Sequence, residues 1–149
     1  MRAVVQRVTH SSVTADGVAC GAIGKGLCVF VGIGADDGVR DAEWLINKII
    51  GLRVFTDAED KMNLDVRQVG GSLLLVSQFT LYGDCRKGRR PSYDAAMPSD
   101  NARGLFQEFT EMCAQTGLPL VTGVFQADMT VSIENDGPVT LLLDSKKTF

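Results

Sequence analysis

Ser77, Gln78 and Thr80 place two hydroxyls and a side-chain amide within four residues, where the apolar run Leu73–Val76 ends. Such groups commonly do no more than close a turn after a strand. Beside free backbone N–H groups they can also hold a carbonyl oxygen and stabilise the negative charge it gains during attack. A second unusual stretch is Asn135-Asp136-Gly137-Pro138, which interrupts the β-branched run around Ser132–Leu143. Asp-Gly suits a hairpin turn, but a proline next in line removes an N–H that a returning strand would use. Either the turn is rigid, or its backbone is held out for a ligand.

Other residues narrow the chemistry. There is one histidine, His10, so a zinc site of the H-E-x-x-H kind is impossible, and no G-x-S-x-G elbow accompanies a serine. His10 reads as an ordinary strand residue, and the chain is expected to work without a histidine base, a metal or a cofactor. Of the cysteines, Cys20 and Cys28 adjoin apolar runs and are expected to be buried, while Cys85 stands among Arg86, Lys87, Arg89 and Arg90 with no base beside it. Those four basic residues come from only fifteen in the chain. They suit either a solvated loop or a phosphate contact. The net charge of −3 offers no general attraction for nucleic acid.

The elements that must position these groups follow from the patterning. At 149 residues, with 45% hydrophobic and 22% charged residues, the chain fits one globular domain, 1–149. No signal peptide or membrane-length apolar segment is evident, and a cytoplasmic location is expected. Strands separated by turn signals fill the first third, with Asp16-Gly17 as a hairpin connection. A first helix should be capped by Asp36 or Asp37, carry Leu45, Ile46, Ile49 and Ile50 on one face and stop at Gly51. A second should start at Pro98-Ser99-Asp100, with Ala102, Leu105, Phe106, Phe109, Met112 and Cys113 as its stripe, and end at Gly117. Strands close the chain on both sides of Gly137-Pro138. The expected class is α+β, a mainly antiparallel, barrel-like sheet with two helices. "GIGADDG", Gly32–Gly38, resembles a dinucleotide loop only weakly, since Asp37 replaces the third glycine and two acids would face a pyrophosphate.

Taken together, "SQFTL" at Ser77–Leu81 and "NDGPVT" at Asn135–Thr140 resemble the two signature motifs of D-aminoacyl-tRNA deacylases. "MRAVVQRVTHSSV", "DAEDKMNLDV", "GRRPSY" and "QADMTVSIENDGPVT" resemble the same family in order and spacing, leaving only the tail after Asp144 unmatched. The resemblance implies hydrolysis of the ester joining a D-amino acid, or glycine, to the 3′-terminal adenosine of tRNA. It implies that Ser77, Gln78, Phe79 and Thr80 line that ester, with Thr80 a nucleophile or a water-positioning group. It also implies that Gly137-Pro138 is a cis peptide acting as chiral filter in the other subunit of a homodimer, with Asn135 and Thr140 bracing the loop. Two readings from other classes stay open: a non-catalytic RNA- or partner-binding module using Arg86–Arg90, and a thiol enzyme using Cys85.

Overall fold

A computed structural model describes residues 1–149. Strand β1 (Arg2–Ala15) turns at Asp16-Gly17 into β2 (Val18–Ile23), and β3 (Gly26–Gly32) follows. Asp16 and Gly17 both have positive φ, 49° and 79°, as a two-residue primed hairpin turn requires. Helix α1 (Val39–Ile50), the short ribbon β4 (Phe55–Thr56) and β5 (Met62–Leu64), and β6 (Ser72–Ser77) come next. A 3₁₀ turn (Phe79–Tyr82), α2 (Ser99–Gln115), β7 (Leu120–Thr122) and β8 (Met129–Asp144) complete the chain.

Strand β1 organises the sheet. It pairs antiparallel with β3 through its first half, with β2 through its second half, and with β8 along its other edge. The remaining main-sheet pairings, β3 with β6 and β6 with β7, are parallel because a helix-bearing crossover separates each pair. Strand β2 curls round to meet β7: a Cβ on Gly21 would stand 2.9 Å from Val121. The sheet is therefore nearly a closed barrel, as expected, though less uniformly antiparallel.

Both faces of the central strands are buried, which explains their unbroken apolar runs. Leu27, Val29, Val31, Leu73 and Leu75 pack toward Leu45 and Ile49 of α1 and Phe106 and Phe109 of α2. Cys28, Leu74 and Val76 point the other way and join Val8, Val13 and Ile23. Phe109 is fully buried, and trimming such a side chain to alanine costs about 3–5 kcal/mol.

Two expectations change. The N-cap of α1 is Gly38, not Asp36 or Asp37. Its N–H donates to Asp41 Oδ2 at 3.0 Å, and Asp37 is turned inward for another purpose. Cys20 is exposed, because the side chains of β2 are largely uncovered before Ile23. At Gly137-Pro138, where a rigid turn or a backbone held out for a ligand stood open, the chain does not reverse. Strand β8 keeps pairing with β1 on both sides of it, Asn135 opposite Val8 and Thr140 opposite Gln6. Four residues, 136 to 139, thus stand against Arg7 alone, a wide bulge in one continuous strand. Proline is tolerated there because a bulge releases its residues from the ladder.

Candidate active site

The turn after β6 borders the main cavity. Ser77, Gln78 and Phe79 line it together with Val31, Ile33, Met97 and residues from α2 and the 125–131 segment, and its volume is about 630 Å³. Most of its wall is apolar, Phe106, Phe125 and Met129 included. The chain leaves β6 with Gln78 N–H donating to Val31 O at 2.8 Å, then tightens into the 3₁₀ turn. The first N–H groups of such a turn have no partner within it. Neither Phe79 N–H nor Thr80 N–H takes part in the backbone hydrogen bonds made by the loops and turns. Gln78 Nε2 donates to Thr80 Oγ1 at 2.5 Å, tying the amide to the hydroxyl. Thr80, next in the turn, is exposed and does not line the cavity.

Glycines let this turn approach β3. A Cβ on Gly32 would meet Gln78 O at 2.9 Å, and one on Gly34 would meet the Tyr82 ring and hydroxyl at 2.7 Å. The glycines of "GIG" therefore admit the Gln78–Tyr82 segment. Tyr82 Oη donates to Asp37 Oδ2 at 3.0 Å, and the same carboxylate oxygen accepts from Gly34 N–H at 2.6 Å. Asp37 also pairs with the Met1 ammonium at 2.7 Å in a buried setting. Burial and the Asp37 charge both push the Tyr82 hydroxyl pKa well above its usual value, so it stays protonated and donating. Arg2 completes the support, its guanidinium 4.5 Å from the centre of the Tyr82 ring and its Nη1 donating to Leu81 O at 3.1 Å.

Beyond Gly83, Asp84 and Ser92 exchange backbone hydrogen bonds of 2.7 and 3.0 Å and close a loop whose tip, Gly88, has φ +79°. Arg86 is paired with Asp84 at 2.7 Å, whereas Lys87, Arg89 and Arg90 are exposed and make no ion pair. The loop ends beside the site: Tyr93 packs edge-on against Phe79 with ring centres 5.0 Å apart. Cys85 is exposed and has no histidine or other base bonded to it.

The Gly137-Pro138 peptide is cis, and both residues are exposed. Neither they nor Asn135 and Thr140 line the cavity of their own chain. Asn135 Nδ2 donates to Arg7 O at 2.9 Å and Val139 O at 3.1 Å, while Thr140 Oγ1 accepts from Gln6 Nε2 at 3.2 Å. Arg7, which sequence reasoning passed over, is nearly buried. Its Nε faces Asp136 Oδ2 at 2.8 Å and its Nη1 reaches Val54 O. A signal for it was present: Ala3, Val5 and Arg7 alternate on one face of β1, which puts a charge on the inward side.

Comparisons with known proteins give the class and then the family. The family model described as D-Tyr-tRNA(Tyr) deacylase matches residues 4–144. The D-aminoacyl-tRNA deacylase of Syntrophobacter fumaroxidans is 59% identical over all of both chains, and that of Thermotoga petrophila 53% over the same extent. Among solved structures, one titled c-Myc DNA Unwinding Element Binding Protein superposes with a TM-score of 0.90 at 42% identity, covering 97% of this chain and 98% of that one. Another, titled as the analysis of a probable eukaryotic D-amino acid tRNA deacylase, superposes at 0.79 with 16% identity over 95% and 97% of the two chains, a likeness of fold. The class is that of hydrolases acting on charged tRNA. Within it, the chain belongs to the D-aminoacyl-tRNA deacylase family.

Proposed function

We propose that this chain hydrolyses the ester between a D-amino acid, or glycine, and the 3′-terminal adenosine of tRNA, releasing both. The observation that carries the reading is the pair of N–H groups, Phe79 and Thr80, that open a 3₁₀ turn bordering an apolar cavity and have no partner within that turn. An ester carbonyl set against them has two donors for the oxyanion formed when water attacks, and one such donor is worth about 10²–10³ in kcat. Thr80 Oγ1, held by Gln78, positions the water. No histidine stands by to make it a nucleophile. An aminoacyl ester is reactive enough for positioning to count heavily. The ribose 2′-OH of the substrate itself polarises the water.

Chiral selection falls to Gly137 and Pro138 of a second copy. Their carbonyls accept from the substrate's α-ammonium, and the loop leaves an L side chain no room. Supporting this, the bulge holds the loop clear of its own chain's cavity, while β8 pairs along one edge only and exposes Leu142 at 64%. A homodimer puts the two motifs together. The Arg86–Arg90 loop, opening beside Phe79, meets phosphates near the acceptor end, a local contact that suits a chain of net charge −3. The setting is the cytoplasm, where charged tRNA is found; no helix is long and apolar enough to cross a membrane. Release of amino acid from D-tyrosyl-tRNA tests the reading. Binding of tRNA without release would instead make the chain a non-catalytic RNA-binding module.

A further inference from the structure

We infer that Asp37 and Tyr82 are positioning residues for hydrolysis, holding the Phe79–Tyr82 turn so that the N–H groups of Phe79 and Thr80 face the reacting carbonyl; this rests on the function proposed above. The turn is tied at two ends. At its start, Gln78 N–H reaches Val31 O at 2.8 Å, a bond any sequence could make. At its finish, the tie depends on particular side chains: Tyr82 Oη on Asp37 at 3.0 Å, and Arg2 Nη1 on Leu81 O at 3.1 Å.

Asp37 is well suited to be the fixed point. Its side chain is 2% exposed, and it is bound at once by the Met1 ammonium, Gly34 N–H and Tyr82 Oη. Gly34 continues directly from β3, whose Val31 and the neighbouring Ile33 line the cavity. One carboxylate thus sets the spacing between the cavity wall and the far end of the donor turn. The tail adds to the same post, Lys146 Nζ standing 3.7 Å from Asp37 and Ser145 Oγ accepting from the Met1 ammonium. None of these groups lines the cavity, so their influence on the ester passes through the turn.

The test is Tyr82→Phe, which removes one hydroxyl and keeps the ring under Arg2. With D-tyrosyl-tRNA we expect kcat to fall about 10- to 100-fold, the scale of a misplaced reacting group, with KM within about twofold. The backbone amide resonances of Phe79 and Thr80 should shift in ¹H–¹⁵N spectra, and a normal thermal midpoint would show that the variant is folded. Asp37→Asn keeps an oxygen for the tyrosine hydroxyl and should retain more activity than Asp37→Ala. Parental kcat in Tyr82→Phe, or unmoved Phe79 and Thr80 amides, would overturn the inference. Absence of turnover in the parent would defeat the proposed function separately, leaving the amide shifts to decide whether Tyr82 sets the turn.

Discussion

Arg7 Nε lies 2.8 Å from Asp136 Oδ2 and also donates to the Asp136 carbonyl at 3.2 Å, so one strand residue grips the loop that carries Gly137 and Pro138. The arginine sits where four residues of β8 oppose a single residue of β1. Replacing it with alanine leaves the Val54 carbonyl short of a donor, an omission costing about 1–3 kcal/mol. Arg7→Ala should still fold and hydrolyse D-tyrosyl-tRNA, but its preference over L-tyrosyl-tRNA in kcat/KM should drop at least about tenfold, the effect of 1.4 kcal/mol lost in discrimination. An unchanged preference would show that the loop does not depend on this grip for selection.

Thr80 is the residue on which two chemistries divide. As a water-positioning group it is helpful but dispensable, so Thr80→Val should lose about 10²-fold in kcat, the range of one positioned group, and keep measurable turnover. A nucleophilic Thr80 would pass through an acyl-enzyme. Intact-mass analysis of the parent quenched during turnover should show no added aminoacyl mass; finding one would reverse the assignment.

The basic loop offers three free cations, Lys87, Arg89 and Arg90, since Arg86 is engaged by Asp84. If each neutralises one phosphate of a single strand, changing all three to glutamine should lower the slope of log K against log salt by about 2, at roughly 0.7 per phosphate. A slope unaltered by the substitution would leave the loop merely solvated.

Asp41 gives the fold an acid limb. Burial works to raise its pKa, but hydrogen bonds from Lys146, Ser145 and Gly38 outweigh it and hold the carboxyl down to about 2 from 3.8. The folded value is the lower one, so the contribution is complete above about pH 4 and disappears as pH falls toward 2. Thermal midpoints of the parent and Asp41→Asn should therefore differ most at neutral pH and converge below pH 3. Parallel curves across that range would count against the assignment.

Much of this was legible in the chain because it is local. Asp16-Gly17 prescribes a hairpin, the stripe Leu45, Ile46, Ile49 and Ile50 prescribes a helix facing a core, and "SQFTL" marks a strand that ends in hydroxyls. The misses share a physical cause. Asp37 looks like a helix cap until the tertiary fold brings Tyr82 and Met1 to it. At Asn135–Pro138 the sequence leaves a rigid turn and a held-out backbone both open, because nothing within it reveals that both flanking segments pair with the same strand. Cys20 has apolar neighbours in sequence, yet its stretch of β2 receives little cover from the rest of the chain.

The most direct measurement is the rate of amino acid release from D-tyrosyl-tRNA and L-tyrosyl-tRNA, each compared with spontaneous hydrolysis. The account predicts rapid release of the D form, with the L form remaining near the uncatalysed rate. Equal release of both, or no release of the D form, would contradict it.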